Sequence, residues 1–112
     1  EIVYGLRNFI GNANKFSNNK VFINIKSDND TTEIIIEDDG EGYPNDVLRK
    51  IGEPYIKSYK SSIKSKSGLG LGIFIGKTLL EKNYANILCR NSQTRSGAEV
   101  SIKWKNEDLL NL

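Results

Sequence analysis

The sequence predicts an α/β two-layer sandwich, with a mixed, mostly antiparallel sheet and helices packed on one face. Three observations predict it. Residues 2–16 place apolar side chains at helical spacing, residues 21–38 hold two β-rich runs around a polar turn, and residues 98–104 alternate apolar with polar. At 112 residues the chain has the size of one domain, residues 1–112, which can bury a single core without staples.

Residues 2–16 read as an amphipathic helix. At about 100° per residue, Ile2, Val3, Leu6, Phe9, Ile10, Ala13 and Phe16 share one broad face. Asn8, Asn12 and Lys15 form a narrow polar stripe on the opposite side, and Ser17-Asn18-Asn19 ends the helix. Residues 21–27 and 32–38 follow as a hairpin about Asp28-Asn29-Asp30, and the β-branched run Ile34-Ile35-Ile36 marks the second strand as central. Asp39 to Pro44 is a turn by composition, with a short helix expected over residues 45–51. Residues 52–67 show no period and carry Lys57, Lys60, Lys64 and Lys66 among serines, as a mobile loop would. A helix is expected over about residues 73–82, then strands over 85–91 and 98–104. In the last strand Ala98, Val100, Ile102 and Trp104 point inward, and Glu99, Ser101 and Lys103 outward.

Composition removes several kinds of chemistry. The chain has no histidine, so imidazole bases, Ser-His-Asp triads and His-ligated metals within it are excluded. Its one cysteine, Cys89, excludes an intrachain disulfide and suits a reducing compartment. A net charge of +2 is too near balance to mark a nucleic-acid binder, and the lysine-rich stretch has no interleaved aromatics beyond Tyr55 and Tyr59. Apolar runs are too short for a spanning helix, which needs about 20 such residues. The chain opens on Glu1 in mid-pattern, without a signal peptide, and reads as a segment of something longer.

Three constellations remain for function. Gly68-Leu69-Gly70-Leu71-Gly72 stands before a helix, where unpaired N–H groups and the dipole favour a phosphate; the same string also suits a hinge. Leu71 to Thr78 nearly spells a Walker loop, but Ile73-Phe74-Ile75 is too bulky to wrap a phosphate. Gly76-Lys77-Thr78 fits a helix interior with Gly76 packed closely. Gly70-x-Gly72-x-x-x-Gly76 lacks the strand that a dinucleotide fingerprint requires. Asp38-Asp39-Gly40-Glu41-Gly42 follows a strand. There a carboxylate can accept from an exocyclic amine such as adenine's, or the segment can be an acidic surface turn. Calcium-loop spacing is absent from it. Last, the Asn8/Asn12/Lys15 stripe offers an amide oxygen to Mg²⁺ and a cation to phosphate, or is a solvated helix face.

Order and spacing give these elements a joint meaning. Leu6 to Phe16 (LRNFIGNANKF) resembles the N box of the ATP-binding catalytic domain of two-component sensor histidine kinases, in the GHKL or Bergerat-fold ATPase group. Asp38 to Pro44 (DDGEGYP) resembles its first glycine box, Gly52-Glu53-Pro54-Tyr55 its F box, and Gly68 to Ile73 its second glycine box. The first glycine box and GLGLGIFIGKTLLE look most similar to the redox-responding RegB/PrrB branch. The resemblance implies that Asp38 meets the adenine amine in a pocket shaped by Gly40 and Gly42, with Tyr43 and Tyr55 also at the nucleotide. It implies Mg²⁺ on Asn12 with Asn8 beside it, Lys15 at the phosphates, and Phe16 packed on adenine. Gly68, Leu69, Gly70, Leu71 and Gly72 would attend the phosphates, and residues 53–67 would form an ATP lid.

Hydrolysing members of the group carry a glutamate four residues before the Mg²⁺ asparagine, as base for water. Here that position is Asn8, and an amide cannot take the proton. The implied activity is therefore γ-phosphoryl transfer from Mg·ATP to a histidine on a dimerisation domain outside this chain, with Asn8, Asn12 and Lys15 as the catalytic residues. A response regulator would act downstream. The domain itself would be cytoplasmic, without contact to membrane or nucleic acid. A nucleotide-gated binding module and an anti-sigma-type serine kinase of the same fold are the alternatives.

Overall fold

A computed structural model describes residues 1–49 and 69–112, with side chains from residue 72 onward in the second stretch. In chain order the elements are α1 (Ile2–Phe16), β1 (Val21–Ser27), β2 (Thr31–Asp38), α2 (Asn45–Arg49), α3 (Leu69–Lys82), β3 (Asn86–Asn91), β4 (Ala98–Lys105) and α4 (Asn106–Leu110). The four strands lie in the order β1-β2-β4-β3, and every described pair is antiparallel. β2 and β4 are thus the central strands, as the isoleucine run in β2 predicts.

Register decides which side chains form the core. Ile23 pairs with Ile36, Ile36 with Val100, and Val100 with Cys89; Ile25, Ile34, Ile102 and Ile87 form the next row on the same face. The helices α1 and α3 cover this face except along β1, where Ile23 and Ile25 stay exposed. They run antiparallel, because a Cβ on Gly5 would meet Leu80 at 2.8 Å and one on Gly76 would meet Phe9 at 2.7 Å. Phe9, Ile36, Ile73, Leu80 and Ile102 are the largest fully buried side chains, each contributing about 1.5–3 kcal/mol of hydrophobic stabilisation. Trp104 is buried with them and donates its indole N–H to the Asn83 carbonyl at 3.1 Å, so its polar atom costs nothing inside.

The hairpin turn is an Asx turn: Asp28 Oδ1 accepts the N–H groups of Asp30 and Thr31, both at 2.8 Å. These bonds hold its carboxyl below the ordinary carboxylate range. Asn106 ties the start of α4 to the same turn, donating its side-chain amide to the Asp28 carbonyl at 2.7 Å.

The structure revises four sequence expectations. α3 begins at Leu69 rather than Ile73, so Gly70 and Gly72 are helical; the roughly 1 kcal/mol that each glycine costs a helix is tolerated where close packing needs it. Val3 is exposed, and Gly5 takes its place on the buried face of α1. Asn12 does not stand opposite the core, since it borders the cavity described below. Glu99, on the outer sheet face, is nonetheless buried, because Arg90 covers it with an Nε–Oε2 contact of 2.6 Å. The expected loop over residues 52–67 lies outside the described residues.

Candidate functional site

One cavity opens between α1 and the sheet at the C-terminal end of β2. Phe9, Asn12, Ala13 and Phe16 line it from α1, Ile36 and Asp38 from β2, Gly42 and Tyr43 from the following loop, and Ala98 and Val100 from β4. It is a narrow cleft with an open mouth, with about 20 Å³ of room inside. Most of the wall is apolar, with two polar side chains set into it. That is the usual constitution of a small-molecule site.

The first polar group is the Asp38 carboxylate, 3% exposed at the last position of β2. Its Oδ1 accepts the backbone N–H of Gly40 at 2.8 Å and of Ala98 at 3.3 Å. A carboxylate can be buried here because backbone donors satisfy it. The bonds also fix its plane. Gly97 makes this possible: a Cβ there would overlap Asp38 itself, so only glycine lets the β3–β4 loop come this close.

The second polar group is the Asn12 amide, whose Nδ2 is buried with no hydrogen-bond partner among the described residues. A buried donor left unpaired costs about 1–3 kcal/mol, an expense typical of functional sites. A Cβ on Gly72 would lie 3.0 Å from both polar atoms of this amide, so the first turn of α3 is pressed against it. Leu69, Gly70, Leu71 and Gly72 are the first four residues of α3, whose N–H groups no helical carbonyl can take. The phosphate-favouring end of a helix therefore faces the unpaired amide, with Gly70 and Gly72 inside that helix.

The loop after β2 is fastened from β3. Gly42 has φ +81°, and the Asn91 amide binds the backbone of Tyr43 behind it, accepting from its N–H at 2.6 Å and donating to its carbonyl at 3.1 Å. Tyr43 is buried; burial first, then the neighbouring Cys89 thiol, makes its hydroxyl a weaker acid, with its pKa pushed well above the ordinary range. Burial likewise pushes the Cys89 thiol up to about 12.

Of the residues singled out by sequence, Asn12, Phe16, Asp38, Gly42 and Tyr43 come together around the cavity. Gly40 sits beneath it, so close to the Phe16 carbonyl that no Cβ fits. Lys15 is exposed, with its ammonium 5.3 Å from the centre of the Phe16 ring. Asn8 is not a lining residue; one turn before Asn12, it donates its amide to the Tyr4 carbonyl at 2.9 Å. Tyr55 and Gly68 lie outside the described residues, as do the side chains of Leu69 and Leu71. Sequence inspection missed Asn91 and Gly97. Asn91 ends a strand unremarkably, but Gly97 just before the alternating run was a signal of close approach.

A nucleotide and its cation fit these residues. The apolar wall suits a flat base, and the fixed carboxylate is an acceptor for an exocyclic amine. The unpaired amide beside a helix N-terminus suits a metal–phosphate group. No cluster of three or more acidic or thiol ligands exists among the described residues. The set fits Mg²⁺ that arrives on phosphate oxygens, which needs only one or two protein ligands.

Fold and site together define an ATPase-type nucleotide domain. The chain belongs to the family of histidine kinase-, DNA gyrase B-, and HSP90-like ATPases, whose model matches residues 2–108. It is 37% identical over 120 residues to the sensor histidine kinase RegB of Cereibacter sphaeroides, covering 93% of this chain and 26% of RegB. The likeness of the glycine boxes to that branch is borne out. The chain thus spans about a quarter of the length of this curated relative. Among solved structures, the mycobacterial sensor histidine kinase MprB superimposes with a TM-score of 0.73 at 23% identity, over 91% of this chain and 70% of that one. Full-length ShkA in complex with AMPPNP gives 0.68 at 24% identity, over 90% and 20%. These two likenesses are of fold, and they bear out the predicted sandwich.

Proposed function

We propose that the domain binds Mg·ATP in the cavity and passes the γ-phosphoryl group to a histidine on a separate dimerisation and phosphoacceptor domain, in two-component signalling. One observation carries this: a fixed, buried carboxylate and a buried, unpaired amide face one apolar cavity. Asp38 selects adenine by accepting from its exocyclic amine, while Phe9, Ile36 and Val100 exclude water from the base. Asn12 holds the cation, with Asn8 a turn away. Lys15 neutralises phosphate charge, and the first turn of α3 offers its N–H groups. The cation, when bound, offsets phosphate charge and keeps the triphosphate in one orientation. Catalysis is then positioning plus charge neutralisation.

Transfer is favoured over hydrolysis by Asn8, whose amide has no basic lone pair for the proton of water. With no histidine in the chain, the acceptor stands elsewhere, in cis in the full-length protein, and a response regulator follows. Among the described residues no helix is long and apolar enough to cross a membrane. The domain works on the cytoplasmic side, where Cys89 remains a thiol.

Calorimetric titration with a non-hydrolysable ATP analogue, with and without Mg²⁺, tests the pocket. Wild type should bind in a Mg²⁺-dependent manner, and Asp38→Asn should bind at least about tenfold more weakly, the size of a charged hydrogen bond. No binding by the folded wild type overturns the proposal. Binding followed by transfer to a serine substrate, or by no transfer to an added dimerisation domain, would point instead to the serine kinase or the nucleotide-gated module.

A further inference from the structure

Asp39 is not among the residues that line the cavity, and its carboxylate performs a different task from that of Asp38. Its Oδ1 accepts three successive backbone N–H bonds, from Asn18 at 2.9 Å, Asn19 at 3.0 Å and Lys20 at 3.2 Å. The Asn18 side-chain amide donates to the Asp39 carbonyl at 3.0 Å. A carboxylate near a helix C-terminus meets the negative end of the dipole and is ordinarily disfavoured there. Here the chain leaving α1 turns its N–H groups into a concave anion seat that offsets this. Those N–H bonds, with Asn19's and Lys20's foremost, keep the Asp39 carboxyl below the usual carboxylate range. One residue later, Gly40 lies against the Phe16 carbonyl. The exit of α1 and the end of β2 are therefore joined side by side.

We propose that Asp39 is a positioning residue for the nucleotide. By clasping the segment after α1 to the segment after β2, it sets the span between Asn12 and Phe16 on the helix and Asp38 on the strand. This rests on the nucleotide reading of the cavity and adds to it a residue that touches no ligand. Held by Asp39, the two walls keep one separation, so a base that reaches Asp38 also brings its phosphates to Asn12. With the clasp open, the N–H groups of residues 18–20 turn to water at little cost to folding, and the walls lose their common register.

The test is titration of the chain with a non-hydrolysable ATP analogue and Mg²⁺, in parallel with thermal melts, for wild type, Asp39→Ala and Asp39→Asn. Asp39→Ala should weaken binding about tenfold, because binding to a poorly pre-organised site is penalised. Asp39→Asn keeps an acceptor oxygen at the same atom and should stay within about threefold of wild type. Wild-type affinity in Asp39→Ala, or equal loss in both variants, overturns the clasp while leaving the nucleotide site intact. A wild type that binds no nucleotide overturns both. Should Asp39→Ala fail to fold, Asn18→Ala removes one bond of the clasp; about threefold weaker binding supports it, and unchanged binding overturns it.

Discussion

The side-chain amide of Asn91 takes both backbone groups of Tyr43, its Oδ1 accepting at 2.6 Å and its Nδ2 donating at 3.1 Å. A side chain on β3 thereby ties down the loop that follows β2. With two bonds at about 1 kcal/mol each, Asn91→Ala should cost about 2 kcal/mol in urea unfolding and weaken nucleotide binding as well. Asn91→Asp keeps the acceptor and loses the donor, so it should fall between. A loss below about 0.5 kcal/mol for the alanine variant would mean that the loop holds itself.

Two glycines of α3 should respond differently to alanine. At Gly76 the added Cβ would lie 2.7 Å from the buried ring of Phe9, which has nowhere to go. Overpacking of about 1–3 kcal/mol then outweighs the roughly 1 kcal/mol gained in helix propensity, and Gly76→Ala should melt earlier. At Gly72 the same carbon would press on the Asn12 amide at 3.0 Å, and that amide can turn. Gly72→Ala should keep near-wild-type stability but lose most of the Mg²⁺-dependent part of its affinity. Melts and titrations of the two variants check this; full Mg²⁺ dependence in Gly72→Ala would contradict the placement of the cation at Asn12.

Tyr84 ends α3 with φ 73°, a left-handed position, and is exposed. Its N–H bonds the Glu81 carbonyl at 3.1 Å and that of Ala85 bonds Leu80 at 3.0 Å, the pattern of a Schellman cap. Side chains other than glycine pay about 1 kcal/mol there. Tyr84→Gly should therefore stabilise the domain by up to about 1 kcal/mol, raising the urea midpoint without changing the slope. A lowered midpoint would show that the exposed ring has contacts worth more than the strain.

Cys89 and Tyr43 predict an alkaline weakness. Both protons are held more tightly in the folded domain, the thiol up to about 12 against an ordinary value of 9.0. As pH rises past 9 the unfolded chain releases its thiol proton first, so the stability from Cys89 is complete below that pH and lost between 9 and 12, and that from Tyr43 falls in the same direction above its ordinary 10.0. The thermal midpoint should fall over this window, and by less in Cys89→Ala. For the same reason iodoacetamide at pH 8 should label Cys89 at least about a hundredfold more slowly in the native protein than in urea. Rapid native labelling would contradict the buried thiol.

Much of this architecture is legible without coordinates. The bounds of α1, the hairpin and the inward row Val100, Ile102 and Trp104 all follow from periodicity, because local pattern and burial agree there. Where they part, the sequence misleads. A glycine string looks like a loop, yet Gly72 is helical because α1 lies against it. Glu99 alternates outward but is covered by Arg90, a contact between strands that spacing alone does not reveal. Asp38 is recognisable from its motif. The residues that hold it and its loop act from far along the chain, Gly97 on Asp38 from 59 positions away and Asn91 on Tyr43 from 48, so only the fold shows what they touch.

The strand order has a temporal consequence. β4 inserts between β2 and β3, although it is made after both. A ribosome that has released the chain only as far as Asn91 has exposed α1, α2, α3 and three strands, but β4, which pairs with both β2 and β3, is still missing. Gly97, Ala98 and Val100, the last pieces of the cavity floor and of Asp38's seat, emerge after that. If the cavity is the nucleotide site, the nascent domain completes it only once β4 has emerged, and bound ATP would stabilise the finished domain and no shorter intermediate.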